Sequence, residues 1–260
     1  MPPFELGILY LNIATTVGLL VRLWASHLVP TYRWLFTYLA VGTLQQCMGL
    51  VFGYGTNLSA YNYIVGQTVK IILVVFVVLE LYRLALAGQP ALAKYGQKTA
   101  GVVLCAAAGV AALGLLLAPT PPPGRSVILY RVFSLERTMD SWVLLFLVLI
   151  NLFMIWFPVR MKRNVAFYLA GFMVHFFARS AYLLLLNVLS TRHLNALNSV
   201  MLGISTTCLL VWLVAFGEEG EKVTTVVGHR WDPAAMDRVS GQLDAINASL
   251  MKLSRSERGV

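Results

Sequence analysis

Charge is what this chain has least of. Only 12% of its 260 residues are charged, about half the share in an average soluble domain, while 58% are hydrophobic. That balance excludes a water-soluble globular protein and predicts an all-α integral membrane protein, because backbone polar groups in hydrocarbon must be satisfied within their own segment. Cysteine is nearly as scarce: Cys47, Cys105 and Cys208 each fall inside a predicted helix, with no CxxC or Cys/His spacing beside them. A disulfide framework and a zinc site are therefore not indicated.

Catalytic signatures are missing as well. The chain carries no HExxH, no GxSxG and no P-loop, and it is read as a non-enzyme. A retinal protein resembling microbial rhodopsin needs a lysine in its last span, and 196–216 has none. A membrane haem needs paired axial ligands, whereas His175 is the only histidine well inside a span. FGYGT at 52–56 follows a full-length span and lacks the preceding threonine and valine of a potassium filter. No cofactor and no metal is expected.

What the chain has in abundance is long apolar runs. They lie at about 6–23, 34–52, 63–84, 99–118, 133–157, 165–187 and 196–216, each near or above the roughly 18 residues that cross a bilayer. Seven transmembrane helices are predicted. The first follows Met-Pro-Pro-Phe-Glu without a basic leader or small-residue cleavage site, so it reads as a retained span rather than a signal peptide. Basic residues concentrate in the odd connections, at Arg22 and Arg33, then Arg83, Lys94 and Lys98, then Arg160, Lys162 and Arg163. The even connections offer little beyond Arg125, Arg131 and Arg192. The positive-inside rule then places the N-terminus outside and the C-terminus inside. Topology explains most of the net charge of +9, and no nucleic-acid partner is needed.

Against this background the ionisable residues inside the spans stand out. Arg179 sits eight residues before the outer end of the sixth run, which is roughly 12 Å deep at the helical rise. Lys70 and Asp140 come to roughly 10 Å by the same rise, with Glu136 one turn nearer the surface. Lone charges at this depth cost roughly 2.5–3.5 kcal/mol, so each should face the bundle interior and find a partner or water. Lys70, Glu136, Asp140 and Arg179 are the expected mutual partners, and Arg137, three residues before Asp140, is a local one. On the sixth run Tyr168, Phe172, His175, Arg179 and Tyr182 recur every three or four residues and form one stripe; Gln67 shares a face with Lys70. The expectation is an outward-opening polar pocket with an aromatic floor. The competing reading is structural, since buried ion pairs and aromatic stripes also fix helix register.

Other features read as architecture. Gly101, Cys105 and Gly109 recur every four residues on the fourth run and permit close packing. Glu80 and Arg83, one turn apart, read as an interfacial pair, and the basic stretch FPVRMKRN as an inner loop within reach of anionic headgroups.

Two units follow: a seven-helix domain over 1–217 and a cytoplasmic tail over 218–260. After a glutamate-rich linker, Asp232 and Pro233 start a helix over about 233–254 whose Met236, Val239, Leu243, Ile246, Leu250 and Leu253 repeat at three and four residues. This amphipathic seam is short for a coiled coil, so docking against the inner membrane face or the protein's own loops competes with a homodimer as its cover, and its near-equal acidic and basic residues favour protein contact, with a cytoplasmic partner or a second copy, over lipid headgroups.

ELYR closing the third run, LERT opening the fifth and FPVRMKRN before the sixth are similar to bacterial seven-helix membrane proteins of uncharacterised function. The resemblance covers most of the chain, implies a multi-pass protein of a bacterial inner membrane, and carries no activity. The expected role is a sensor or receptor-like module with an outer pocket for a small anionic or zwitterionic ligand; the alternative is a transporter or ion-conducting protein using the buried charges.

Overall fold

The computed structural model describes residues 3–53, 56–88, 101–102, 106, 109, 127–156, 159–188, 194–227, 241–242, 245–246 and 248–249. Its long helices are α1 (Pro3–Ala25), α2 (Arg33–Phe52), α3 (Asn57–Ala85), α4 (Val127–Trp156), α5 (Arg163–Val188) and α6 (Leu194–Ala215). A short helix, α7 (Glu218–Lys222), and strands β1 (Val159–Lys162) and β2 (Thr224–Val227) complete the described elements. The described residues are 89% helical, which makes the described fold all-α.

Each long helix starts before the apolar run that predicts it, because polar residues at helix starts keep helical hydrogen bonds while lying outside the hydropathy signal. The start of α3 is an example: the Thr56 hydroxyl accepts from the Ser59 N–H at 3.1 Å, capping a turn that contains Asn57 and Ser59. Four helices, Phe4–Ala25, Arg33–Phe52, Asn57–Ala85 and Ala196–Ala215, are long and apolar enough to cross a membrane. The predicted fourth span at 99–118 lies outside the described residues, apart from Gly101, Val102, Ala106 and Gly109, which are helical.

Successive described helices pack side by side and α6 returns against α1, so the six form a closed ring in which α3 also reaches α5. Small residues set some of these approaches. A Cβ at Gly171 of α5 would overlap the Trp212 indole of α6, and one at Gly66 of α3 would overlap Gln45 of α2. The exterior is apolar: Trp24 is 73%, Val51 81% and Val214 76% exposed. The polar side chains go inside instead, among them Asn12, Gln67, Glu80, Glu136, Asp140 and Asn164. This inversion of the soluble pattern is what hydrocarbon outside and satisfied polar groups inside require.

The end of the bundle that holds the α1–α2 turn differs from the sequence expectation. Residues 159–162 and 224–227, read as loop and linker, pair as an antiparallel two-stranded sheet with Val159 opposite Val227 and Lys162 opposite Thr224. Between the strands' partners sits α7, so Glu218, Glu219 and Glu221 belong to a folded turn and not to a free linker. The Glu221 carboxylate receives Lys162 Nζ at 2.7 Å, Asn164 Nδ2 at 3.0 Å and the Tyr32 hydroxyl. Asn164 Nδ2 also donates to the Gly217 carbonyl at 2.9 Å. We call this assembly the clasp; it ties the chain after α6 to the α1–α2 turn and to the start of α5.

Burial pushes the Glu221 carboxyl up, but the hydrogen bonds from Lys162, Tyr32 and Asn164 outweigh it and hold the group below its ordinary value. Burial, reinforced by the hydrogen bond to Glu221, drives the Tyr32 hydroxyl far above its ordinary value.

Glu80 also departs from its expected role. Arg83 is exposed and forms no ion pair with it; the buried Glu80 carboxylate instead accepts the N–H groups of Trp34 at 3.0 Å and Leu35 at 3.3 Å. Tyr32, the N-cap residue of α2, provides no side-chain cap, so a carboxylate from α3 does that work at the positive end of the helix dipole.

Of the predicted tail seam, Ile246 is helical and 49% exposed. Met236, Val239, Leu243, Leu250 and Leu253 lie outside the described residues.

Candidate ligand-binding cavity

Within the ring of helices lies a partly open cavity of about 140 Å³. Its wall is built from α1 (Asn12, Thr16), α2 (Tyr38, Leu39, Gly42, Thr43, Gln46), α3 (Lys70), α5 (Phe172, His175, Arg179) and α6 (Ser205, Cys208, Leu209, Trp212). Helical rise orders these residues. Tyr38 near the start of α2, Phe172 in the first half of α5 and Trp212 near the end of α6 lie toward the clasp, whereas Gln46, Asn12 and Arg179 lie toward the opposite end.

The clasp side of the cavity is aromatic. The Phe172 and Trp212 rings stack with centroids 5.1 Å apart, and Tyr38 approaches Phe172 at 6.3 Å. Trp212 is fixed by its indole N–H, which donates to the Phe167 carbonyl at 2.9 Å, and by the absence of a side chain on Gly171. Behind it the layer is closed: Tyr168, Phe216, Tyr32, Leu81 and Leu147 have 0% of their surface exposed.

The polar side of the wall divides into satisfied and unsatisfied groups. Gln46 Nε2 donates to Asn12 Oδ1 at 3.1 Å, and Asn12 Nδ2 donates to Thr206 Oγ1 at 2.9 Å, which ties α2 to α1 and α1 to α6. Arg179 of α5 pairs with both carboxylates of α4, through Nη2 to Glu136 and through Nε to Asp140 Oδ2 at 2.5 Å. Glu136 further accepts the Tyr63 hydroxyl of α3 at 2.6 Å. Lys70, His175 and Tyr38 line the same cavity, and among the described residues their polar atoms have no hydrogen-bond or ion-pair partner.

Ten pocket residues were expected from sequence, and four of them, Lys70, Phe172, His175 and Arg179, line the cavity. Glu136 and Asp140 stand behind Arg179, buried, and do not line it. Gln67 is buried away from the wall. Tyr168 sits beneath the floor, with its hydroxyl 3.4 Å from Glu80 Oε1, and Tyr182 bonds Asn198 beyond the far end. The expected Lys70–Asp140 pair is not among the ion pairs of the described residues, because Arg179 already occupies both carboxylates. Arg137 is no partner of Asp140 either: one step round α4 from Glu136, it is exposed and lines a surface groove with Ser141 and Trp142.

Sequence reading missed Asn12 and Gln46, although both are polar residues inside apolar runs and carried the same signal as Lys70. It also missed Tyr38, Cys208 and Trp212, for which position on the wall comes only from the packing of five helices. Among the described residues no cluster of three or more His, Cys, Asp or Glu could hold a metal. Compared with known family models, curated proteins and solved structures, the chain matches none.

Proposed function

We propose that the chain is a receptor-like membrane module: the central cavity binds a small anionic or zwitterionic ligand from the outer face, and the clasp and tail helix answer on the inner face. In this reading the six helices of the ring and the predicted span at 99–118 all cross the bilayer, with the N-terminus outside. The observation that carries the reading is the composition of the cavity wall, which holds Lys70, His175 and Arg179 and no carboxylate. Ligand acceptors therefore meet donors on this wall, above a packed aromatic layer.

A route for the response is present in the aromatic packing. Trp212 of the floor stacks toward Phe216 at 6.2 Å, Phe216 stacks on Tyr32 at 5.4 Å, and Tyr32 donates to Glu221 in the clasp. A ligand that moves the floor would move ring against ring down to the clasp, from which the tail continues to its protein partner or second copy. In close-packed interiors such shifts are passed on rather than absorbed.

The transporter reading requires access from both faces. The closed layer of Tyr168, Phe216, Leu81 and Leu147 beneath the floor favours a one-sided pocket. The test replaces Cys47, Cys105 and Cys208 by serine and introduces Val75→Cys or Leu147→Cys. A membrane-impermeant thiol reagent applied to inside-out vesicles should leave both unmodified; ready labelling of either would establish a through-path and discard the receptor reading.

A further inference from the structure

At the end of the ring that holds the α1–α2 turn, the exterior of α2 and α3 carries two arginines without a carboxylate to pair with. Arg33 begins α2 and Arg83 lies in the last turn of α3; both are exposed, and neither belongs to an ion pair among the described residues. We propose that Arg33 and Arg83 hold the phosphate of an anionic phospholipid whose acyl chains run along the exposed face of α3, a site separate from the cavity and independent of the receptor reading.

Helix register brings these residues together. The Trp34 N–H donates to Glu80 of α3 at 3.0 Å, which sets the first residues of α2 beside the last turns of α3. The Glu80 carboxylate at this level is turned inward, buried and occupied by the N–H groups of Trp34 and Leu35. On the outside the Trp34 ring stacks on Phe76 at 4.4 Å and 18°, and the Arg33 guanidinium lies over the Trp34 ring at 5.3 Å. Phe76 and Arg83 are seven residues apart, so two helical turns bring them to one face of α3. Two cations thus border an aromatic platform, and among the described residues no carboxylate satisfies them.

Position selects a lipid over a free ion. Arg33–Phe52 and Asn57–Ala85 are both long and apolar enough to cross a membrane, and the two arginines stand at the ends of these segments, where headgroups lie. Further along the span, Phe76, Ile72 and Val69 continue the same face of α3 as exposed apolar side chains. A phosphate seated on the arginines therefore brings its acyl chains against apolar surface, a contact that inorganic phosphate does not make. Guanidinium groups form paired, charge-assisted bonds with phosphate oxygens, and stacking on Trp34 holds one of the two in place. Two positive charges around one phosphodiester favour a headgroup with no ammonium of its own, since a zwitterionic headgroup adds a third cation to the site.

The test uses the detergent-purified full chain and counts bound lipid by native mass spectrometry during titration with dioctanoyl phosphatidylglycerol, dioctanoyl phosphatidylcholine or inorganic phosphate. Phosphatidylglycerol should bind saturably and more tightly than phosphatidylcholine, and equimolar phosphate should not displace it. Arg33→Gln combined with Arg83→Gln should weaken phosphatidylglycerol binding at least about tenfold, the loss of one charge-assisted hydrogen bond, and bring it level with phosphatidylcholine. Lys222→Gln, which removes another exposed cation at the same end of the bundle, should leave binding unchanged. If the double variant does not fold, Arg83→Gln alone, at an exposed side chain, carries the comparison. Equal binding of phosphatidylcholine would reduce the site to an apolar face and overturn the headgroup assignment. Displacement by equimolar phosphate would make it a free-anion site, and an equal loss in Lys222→Gln would show diffuse attraction to a basic surface; either result overturns the proposal.

Discussion

Arg179 on α5 and Asp140 on α4 lie 2.5 Å apart, Nε to Oδ2, and the same guanidinium holds Glu136 one turn away. This contact joins two helices through two buried carboxylates, and it leaves Lys70 as a cation of the cavity wall without a hydrogen-bond or ion-pair partner among the described residues.

Breaking the contact from one side should be costly. Arg179→Met leaves two buried carboxylates uncompensated and is expected to cost roughly 3–5 kcal/mol. Asp140→Asn added to Arg179→Met should restore part of that loss, because it removes one of the orphaned charges. Detergent thermal stability of the wild type, both single variants and the double variant measures the coupling; simple additivity would show that the two residues do not meet.

The clasp has a defined pH response. Glu221 is held below its ordinary value of 4.5, so the folded state binds its proton less readily than the unfolded state does. The resulting stabilisation is fully present above about 4.5 and is lost as pH falls through the folded-state value. Glu221→Gln should therefore lower thermal stability at pH 7, and the gap from the wild type should narrow as the pH is brought below 4. A gap that is constant or widens on acidification would mean that the charged form is not what the clasp stabilises.

How much of this was legible in the sequence follows from the range over which each interaction acts. The long helices are written locally: an apolar run of sufficient length has few alternatives in hydrocarbon, and the predicted runs at 34–52 and 196–216 lie within two residues of α2 and α6 at each end. The ionisable residues were legible too, as exceptions within those runs. Their partners were not, because depth along a helix says nothing about azimuth; Lys70 and Arg179 share a level, yet only Arg179 reaches the carboxylates. The clasp was illegible for a stronger reason. Tyr32 and Glu221 are 189 positions apart, and a TTVV stretch becomes a strand here only because VRMK is held opposite it.

Close approach of α5 and α6 should be sensitive to one methyl group. Gly171→Ala places a Cβ against the Trp212 indole and is expected to destabilise by about 1–3 kcal/mol, with a change in tryptophan fluorescence as the ring is displaced. Gly203→Ala on α6 is the control, since a Cβ there meets nothing within 4 Å. Equal effects from the two would indicate a helix-propensity cause and not the Trp212 contact.

The proposed function requires a cavity open to the outer face whose wall carries Lys70, a cation without a hydrogen-bond or ion-pair partner among the described residues, and Cys208 is a native reporter on that wall. With Cys47 and Cys105 replaced by serine, Cys208 is labelled in right-side-out vesicles by an anionic methanethiosulfonate and, separately, by its cationic counterpart. The anionic reagent should react faster, and Lys70→Met, which leaves Arg179 alone with two carboxylates, should abolish or reverse the difference. Equal rates in the unaltered cavity, or faster reaction of the cationic reagent, would contradict the claim.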